Sequence, residues 1–304
     1  MVVSKKKLFC YSRNKKNDYF WGYLMIAPNT IGLGIFFFYP FFKTLLNSFY
    51  DTGAFNVTKW AGLSNYKKMI SDTVMWQSLG NTFKYVLIIV PCTMVLSMLI
   101  AVLLNTKVKG QSVFRVLFFI PSITMTAAVA IVWKWIYNGD FGILNYMLGL
   151  VGIQAQRWLS EPRLALFSIS TVSIWMGVGY NMIILLAGIQ GISGSYYEAA
   201  SIDGAGSFKK FLHITLPLVT PTLFFVMTTS LISAFQTFDV IYMMINSNSI
   251  ALNSTQSVVL YFYRNAFVFS KKGYASAIAM LLFVIIMIIT VLQMKLQKKW
   301  VNYD

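Results

Sequence analysis

Acidic residues are scarce in this chain: nine of 304, against 25 lysines and arginines. Histidine occurs once, at His213, and cysteine twice, at Cys10 and Cys92. One histidine far from either cysteine offers no metal cluster and no nucleophile–base pair, so a membrane-embedded enzyme is disfavoured. No G-x-x-x-x-G-K-[ST] run occurs, so the chain has no P-loop with which to bind ATP. Charged residues of either sign make up only 11%, where a soluble domain carries about 25%. The polar coat of a water-soluble globule is missing. No internal repeat is evident.

What is present is apolar: 57% of residues, with a mean hydropathy of +0.65. Uncharged runs at 19–42, 85–106, 116–133, 164–197, 211–238 and 273–294 each reach the roughly 18–20 residues that cross a bilayer core. The runs are continuous rather than alternating, which favours helices over barrel strands. The pattern predicts an all-α, polytopic chain of six transmembrane helices at about 20–42, 82–105, 115–137, 164–188, 219–242 and 274–294, spans one to six. Run 141–156 is too short. Run 241–263 carries "NSNS" and "LNSTQS", whose amides and hydroxyls are costly in lipid. The outer loop at about 43–80 is expected to end in an amphipathic surface helix.

The net charge of +16 fits the rule that basic residues mark the cytoplasmic face better than it fits nucleic acid binding. With both termini inside, fourteen of the 25 basic residues lie on that face, at roughly twice the outer density. Residues 1–18 read as a basic cytoplasmic tail and retained anchor, 19–296 as the membrane domain, and 297–304 as a second cytoplasmic tail. Cys10 and Cys92 fall on the inner side and in a span, so no disulfide is expected.

One polar stretch interrupts the apolar chain: "YYEAASIDGAGSFKKFLHITLPL", 196–218. Glu198-Ala199-Ala200 begins a helical piece that Asp203-Gly204 ends, since glycine tolerates the left-handed backbone of a helix stop. Ser207 is placed to cap a second piece. Pro217 and Pro221 bend the entry to span five. The small residues let another surface approach the backbone; an ordinary solvated loop is the plainer alternative. The stretch resembles the EAA loop of ABC-importer permeases. Glu198, Ala199, Ala200, Gly204, Ile214, Leu216 and Pro217 match that pattern. "GLSNY" (62–66), "NT" (81–82), "FRVLFFIPS" (114–122), "WKWIYNGDFGILN" (133–145) and "YFYRNAF" (261–267) extend the resemblance over about 20–296, to the sugar-type group that includes the maltose and glycerol-phosphate importers. The family's Gly-Gly-Pro after span five is missing here.

The resemblance implies a type I importer permease fold in the bacterial cytoplasmic membrane. It further implies that 196–218 is a coupling loop seated in a partner ATPase. Glu198, Ala199, Ala200, Asp203 and Gly204 would then form the contact, with Phe208 and Phe211 as apolar plugs. The implied partners are a second permease with its own EAA loop, an ABC ATPase dimer that binds the ATP and Mg, and an extracytoplasmic solute-binding protein. No cofactor is expected on this chain itself.

Polar residues inside the spans are the best markers of a solute path. Ser173, Gly177 and Tyr180 share one face of span four, with Asn181 adjacent. Ser230, Ser233 and Thr237 share one face of span five, beside Gln236. Hydroxyls, amides and an aromatic face suit a sugar; helix–helix packing is the alternative use of the same small residues. Asp239, near the outer end of span five, could line the mouth, pair with a cation or sit at the interface. An ion-coupled secondary transporter is the rival function. It would place acids or bases at mid-span, and the spans have essentially none.

Overall fold

The computed structural model describes residues 15–52, 58–106 and 109–302. Cys10, Lys107 and most of the basic segment 1–18 lie outside them. The uncharged runs become helices because lipid offers no partner to a backbone N–H or C=O. Among the described residues four helices are long and apolar enough to cross a bilayer: Tyr19–Asn47, Thr73–Leu104, Pro162–Gln190 and Lys272–Lys299. Two bent pairs join them. Gln111–Ile123 and Thr126–Ile136 meet at 98°, and Ser207–Leu218 and Thr220–Phe235 at 68°. The count is therefore four spans, or six if each bent pair is one crossing.

Several sequence expectations need correction. The chain is not wholly helical: Tyr50–Thr52 and Thr58–Trp60 form a small antiparallel ribbon. The expected surface helix shrinks to Ser64–Ser71, and span two begins at Thr73 rather than 82, capped by the Asp72 carboxylate. Span five ends at Phe235. The backbone breaks at Gln236–Phe238 and restarts as Asp239–Met244.

Span three is not straight. Pro121 is accommodated inside the first helix of the pair, and the break follows it, where Thr124 and Met125 are extended at ψ 138° and 127°. The break is held by span four. The Ser122 hydroxyl donates to Met176 O at 2.6 Å and accepts from Tyr180 N–H at 3.1 Å. Those are the two groups that one helical turn would pair, so the side chain inserts into the ladder of its neighbour.

Spans two and four pack along their lengths around two apolar clusters. One centres on Met75, Tyr85, Ile169, Phe235 and Ile241. The other, nearer the 196–218 loop, centres on Ala101, Met182, Leu185, Val219 and Val226. Lipid tails are as apolar as leucine, so close approach and polar pairing, not burial alone, hold such helices together. Gly179 shows how close: a Cβ there would lie 1.9 Å from Phe118 O. Span one is the exception, for none of its most apolar window is buried; Phe41 meets Phe283 of span six edge-on at 5.0 Å.

The end of the bundle away from the loop is stitched by polar side chains. The Asn81 amide donates to Asn253 O and Gln256 O at 2.8 and 3.2 Å, and Tyr85 Oη to Thr255 O at 2.9 Å. Gln256 Nε2 donates to Ser78 Oγ, while Arg264 donates to Gln256 Oε1. The "LNSTQS" stretch thus folds back onto span two with its polar groups satisfied. Asp72 closes the same end. Its carboxylate accepts from Tyr261 and Tyr274 hydroxyls at 2.5 Å each and from the Val74 and Met75 amides.

Two consequences can be measured as thermal shifts of the solubilised chain. Gly179→Ala presses a methyl into backbone that cannot rotate away, and should cost at least the roughly 1–3 kcal/mol of overpacking. Gly80→Ala, with nothing within 4 Å, should be neutral or slightly stabilising. At Asp72 burial raises the carboxyl pKa, but the two tyrosines and two amides outweigh it and hold it below 3.8. A depressed folded pKa stabilises above the unfolded value and loses that contribution as pH falls through the folded one. Asp72→Ala should therefore lower stability by about 0.5–2 kcal/mol at neutral pH, and the deficit should shrink below about pH 4.

Candidate functional site

A cavity of about 370 Å³ opens between spans four and five, backed by span two and the break of span three. Ser173, Gly177, Tyr180, Asn181, Ser230, Ser233, Gln236 and Thr237 all line it. Two stripes chosen by helical spacing thus converge on one space. Sequence reasoning missed Thr93, Ser122, Thr126 and Thr229, which line it as well. Ser122 and Thr126 flank the span-three break, where a 3.6-residue period no longer says which way a side chain points.

The cavity's hydroxyls are not equivalent. Ser173 donates to Ile169 O at 3.1 Å and Thr237 to Ala234 O at 2.8 Å. Each spends its proton on its own helix and presents only acceptor capacity. Asn181 Nδ2 donates to Ser230 Oγ at 2.9 Å, tying the two walls together and leaving the Ser230 proton available. Tyr180, 52% exposed, and the exposed Ser233 and Gln236 are the open partners. Thr93 is 2% exposed, and its hydroxyl has no hydrogen-bond partner in the chain. Asp239 is exposed and also lines the cavity. Among the described residues no group of three or more histidine, cysteine or acidic side chains could hold a metal.

The same two walls are joined by the polar loop. Gly194–Ile202 ends in a full glycine cap: Gly204 has φ +74°, its N–H reaches Ser201 O at 3.2 Å, and Ala205 N–H reaches Ala200 O at 2.9 Å. This is the 5→2 and 6→1 pairing of a Schellman motif. The second piece, Ser207–Lys210, continues through a π-turn at Phe211–Thr215 to Leu218. Its cap position is Gly206, not Ser207 as expected, and no side chain caps it. Tyr197 Oη bonds Thr215 Oγ1 at 2.9 Å, and Lys210 Nζ donates to Ser201 Oγ at 2.7 Å, so the two pieces form one hairpin. Glu198, Ala199, Asp203 and Gly204 are exposed and Ala200 is half-buried. Phe208 projects with 73% exposure. Phe211 instead packs half-buried on the cluster of Val219 and Val226, so a plug role for it loses support. Ile202, 88% exposed at the hairpin tip, is the apolar residue that sequence reading overlooked.

Apolar helices around a polar cavity, with an exposed hairpin joining two of its walls, define a membrane permease subunit. The chain belongs to the binding-protein-dependent transport system inner membrane components, whose family model matches residues 74–302. It is 40% identical over 296 residues to the probable ABC transporter permease protein YesP of Bacillus subtilis, covering 96% of this chain and 95% of that one. It is 32% identical to the arabinooligosaccharides transport system permease protein AraP of the same organism, covering 90% and 87%. To the trehalose/maltose transport system permease protein MalF of Thermococcus litoralis it is 32% identical, covering 90% and 92%. The fold matches a chain of a bacterial ABC transporter involved in import of the acidic polysaccharide alginate, with a TM-score of 0.84 at 20% identity over 94% of this chain and 98% of that one. The chain is thus a permease subunit of an ABC importer, and ATP hydrolysis in this family falls to a separate ATPase.

Accessibility tests the cavity directly. In a background lacking Cys10 and Cys92, Ser233→Cys and Gln236→Cys should react with a small hydrophilic thiol reagent, while Ser170→Cys, buried outside the cavity, should not. Equal labelling of all three would mean that the cavity is not a water-filled space.

Proposed function

We propose that this chain forms half of the translocation path of a sugar or oligosaccharide importer, and that the 196–218 hairpin couples the path to an ATPase. One observation carries the reading: the two helices that wall the polar cavity are the two that the hairpin connects. Span four enters the loop at Gly191 and span five leaves it at Thr220. A push on the hairpin is therefore a push on both walls.

The remaining partners follow from what the chain lacks. One hairpin serves one ATPase of a dimer, so a second permease supplies the other. ATP and Mg bind on the ATPases, since this chain has no P-loop. Glu198 offers a charge-assisted contact, and Ile202 and Phe208 offer apolar ones. The unburied span one and the open side of the cavity are faces that the second permease would cover. An extracytoplasmic binding protein delivers the solute. In this reading both bent pairs are crossings, giving six spans with both termini in the cytoplasm. Closure of the ATPases draws the hairpins together and turns the cavity from inward- to outward-facing. Sugar is favoured by the lining of hydroxyls, amides and Tyr180, and by the sugar systems named among the relatives. Mid-span charges for an ion-coupled carrier are missing from the cavity lining.

Reporter fusions should place Lys209 and Lys298 inside and Lys67, Arg157 and Asn253 outside. An outside Lys209 would remove the hairpin from any cytosolic ATPase. The whole importer should then be reconstituted and assayed for ATP hydrolysis, subunit retention and uptake of sugars found by screening its binding protein. Gly204→Val forces a β-branched residue into positive φ, at about 1–3 kcal/mol of strain, and should uncouple or release the ATPase. Tyr180→Ala should keep assembly and basal hydrolysis but reduce uptake about two- to tenfold, unequally among solutes, as loss of one hydrogen bond permits. The opposite pattern would reverse the two assignments.

A further inference from the structure

The bend between the hairpin and span five is braced from a distant part of the chain. After Leu296 the last span ends in one tight turn, Gln297–Lys299, and Trp300–Asn302 then lies against the base of span five. The Trp300 ring meets Phe224 edge-on at 6.1 Å, and Val301 is buried. The Asn302 N–H donates to Thr220 Oγ1 at 3.0 Å, and its side-chain amide reaches Pro217 O at 3.5 Å.

The location of these contacts matters more than their number. In a continuous helix the Pro217 carbonyl would accept from the N–H of residue 221, but residue 221 is proline and has none. The chain bends by 68° at this point. The Thr220 hydroxyl takes over, donating to Pro217 O at 2.6 Å while accepting from Asn302. One hydroxyl therefore ties the residue before the bend, the residue after it and the tail. On the other side, span four closes onto the same region: a Cβ on Gly188 would lie 2.5 Å from Thr222 Oγ1. A hinge with two prolines would otherwise be the compliant point between hairpin and cavity.

We propose that Trp300–Asn302 is a positioning element for coupling: a strap that stiffens the bend at Val219, so that movement of the hairpin reaches the cavity wall instead of being absorbed at the hinge. The proposal rests on the coupling role assigned to the hairpin above, and the test separates the two.

The experiment uses the complete importer carrying Ser233→Cys in the background without Cys10 and Cys92. The probe is a hydrophilic thiol reagent, and the readout is the change in Ser233→Cys labelling rate when the ATPases are trapped with ATP and vanadate. Thr220→Val should shrink that change about two- to tenfold, the range one lost hydrogen bond spans, with trapped nucleotide per complex unaltered. Thr220→Ser should restore it. Trp300→Ala should act like Thr220→Val, and Trp300→Phe should be close to unaltered; this second pair stands if the first assembles poorly. Asp72→Ala, which weakens the opposite end, is the control for general destabilisation and should leave the change intact. If Gly204→Val abolishes the change while the strap variants keep it, the strap is wrong and the hairpin reading survives. Strap variants that lose no more than Asp72→Ala does at matched thermal shift would also overturn it. If Gly204→Val itself keeps the full change, the hairpin reading fails first and the strap falls with it.

Discussion

A polar group inside a bilayer must find its partner within the protein, and this rule shapes the chain more than apolar burial does. An unpaired backbone group in hydrocarbon costs several kcal/mol, whereas moving a leucine from lipid to a helix interface gains little. Serines and threonines along the spans accordingly bond back to their own helices, as Ser170 does to Leu166 and Thr228 to Phe224. At three of the places where a helix breaks, a hydroxyl makes a hydrogen bond that the regular ladder does not provide. Ser122 enters the ladder of span four at the break of span three. Ser257 donates to Thr237 O where span five stops. Thr220 serves the carbonyl that Pro221 abandons.

These breaks surround the cavity and its hairpin, and the coincidence has a mechanical reading. Span five is 16 residues long, hence about 24 Å. A tilt of about 10° at its base would shift its far end by about 4 Å on that length, enough to open or close a path lined by single side chains. The same rigidity that carries the tilt makes the base critical. A helix delivers a rotation only if the joint below it does not yield. In the coupling role proposed for the hairpin, Gly204, which sets its turn, and the Pro217–Thr220 bend, which sets its exit, would be two parts of one lever.

Much of this was legible in the sequence. Helical spacing found the polar stripes because span four is regular throughout its stripe and span five is regular at Ser230 and Ser233, while Gln236 and Thr237 reach the same cavity from just past the end of span five. Positive φ at Gly204 followed from a glycine at a helix stop. What escaped lies where regularity fails. Run length cannot show that span three turns through 98°, since Pro121 and Ser122 sit in an unbroken apolar run. Nor could it place "LNSTQS", whose polar groups look homeless until Asn81 and Ser78 of span two are seen beside them. Matched stretches such as "GLSNY" and "NT" marked important positions without giving their use. In the fold Asn65 Nδ2 holds Ser48 O and Tyr50 O, each at 2.9 Å, while Thr82 Oγ1 accepts from Val258 N–H. The inward turn of Phe211 was equally hidden, because a π-turn shifts the helical phase just where it lies.

The hydrogen-bond economy of the cavity also bears on what it can select. Ser173 and Thr237 have committed their protons and can only accept. Ser230 keeps its proton because Asn181 donates to it, and Tyr180 and Ser233 can do either. Gln236 presents both functions on one amide. A solute satisfied here needs donors and acceptors alternating over a short distance, which is how a ring of hydroxyls presents itself. The only charge on the lining is the exposed Asp239, two residues beyond Thr237. If this cavity is the solute path, as proposed above, discrimination among such solutes would come from which protons each wall has already committed. Because Asn181 and Ser230 bond across the two walls, a relative shift of spans four and five that broke that 2.9 Å contact would release an amide donor and a hydroxyl together. If the proposed coupling motion shifts these walls, it would change the cavity's hydrogen-bonding pattern as well as its opening, and solute affinity would become a property of the conformational state instead of the lining alone.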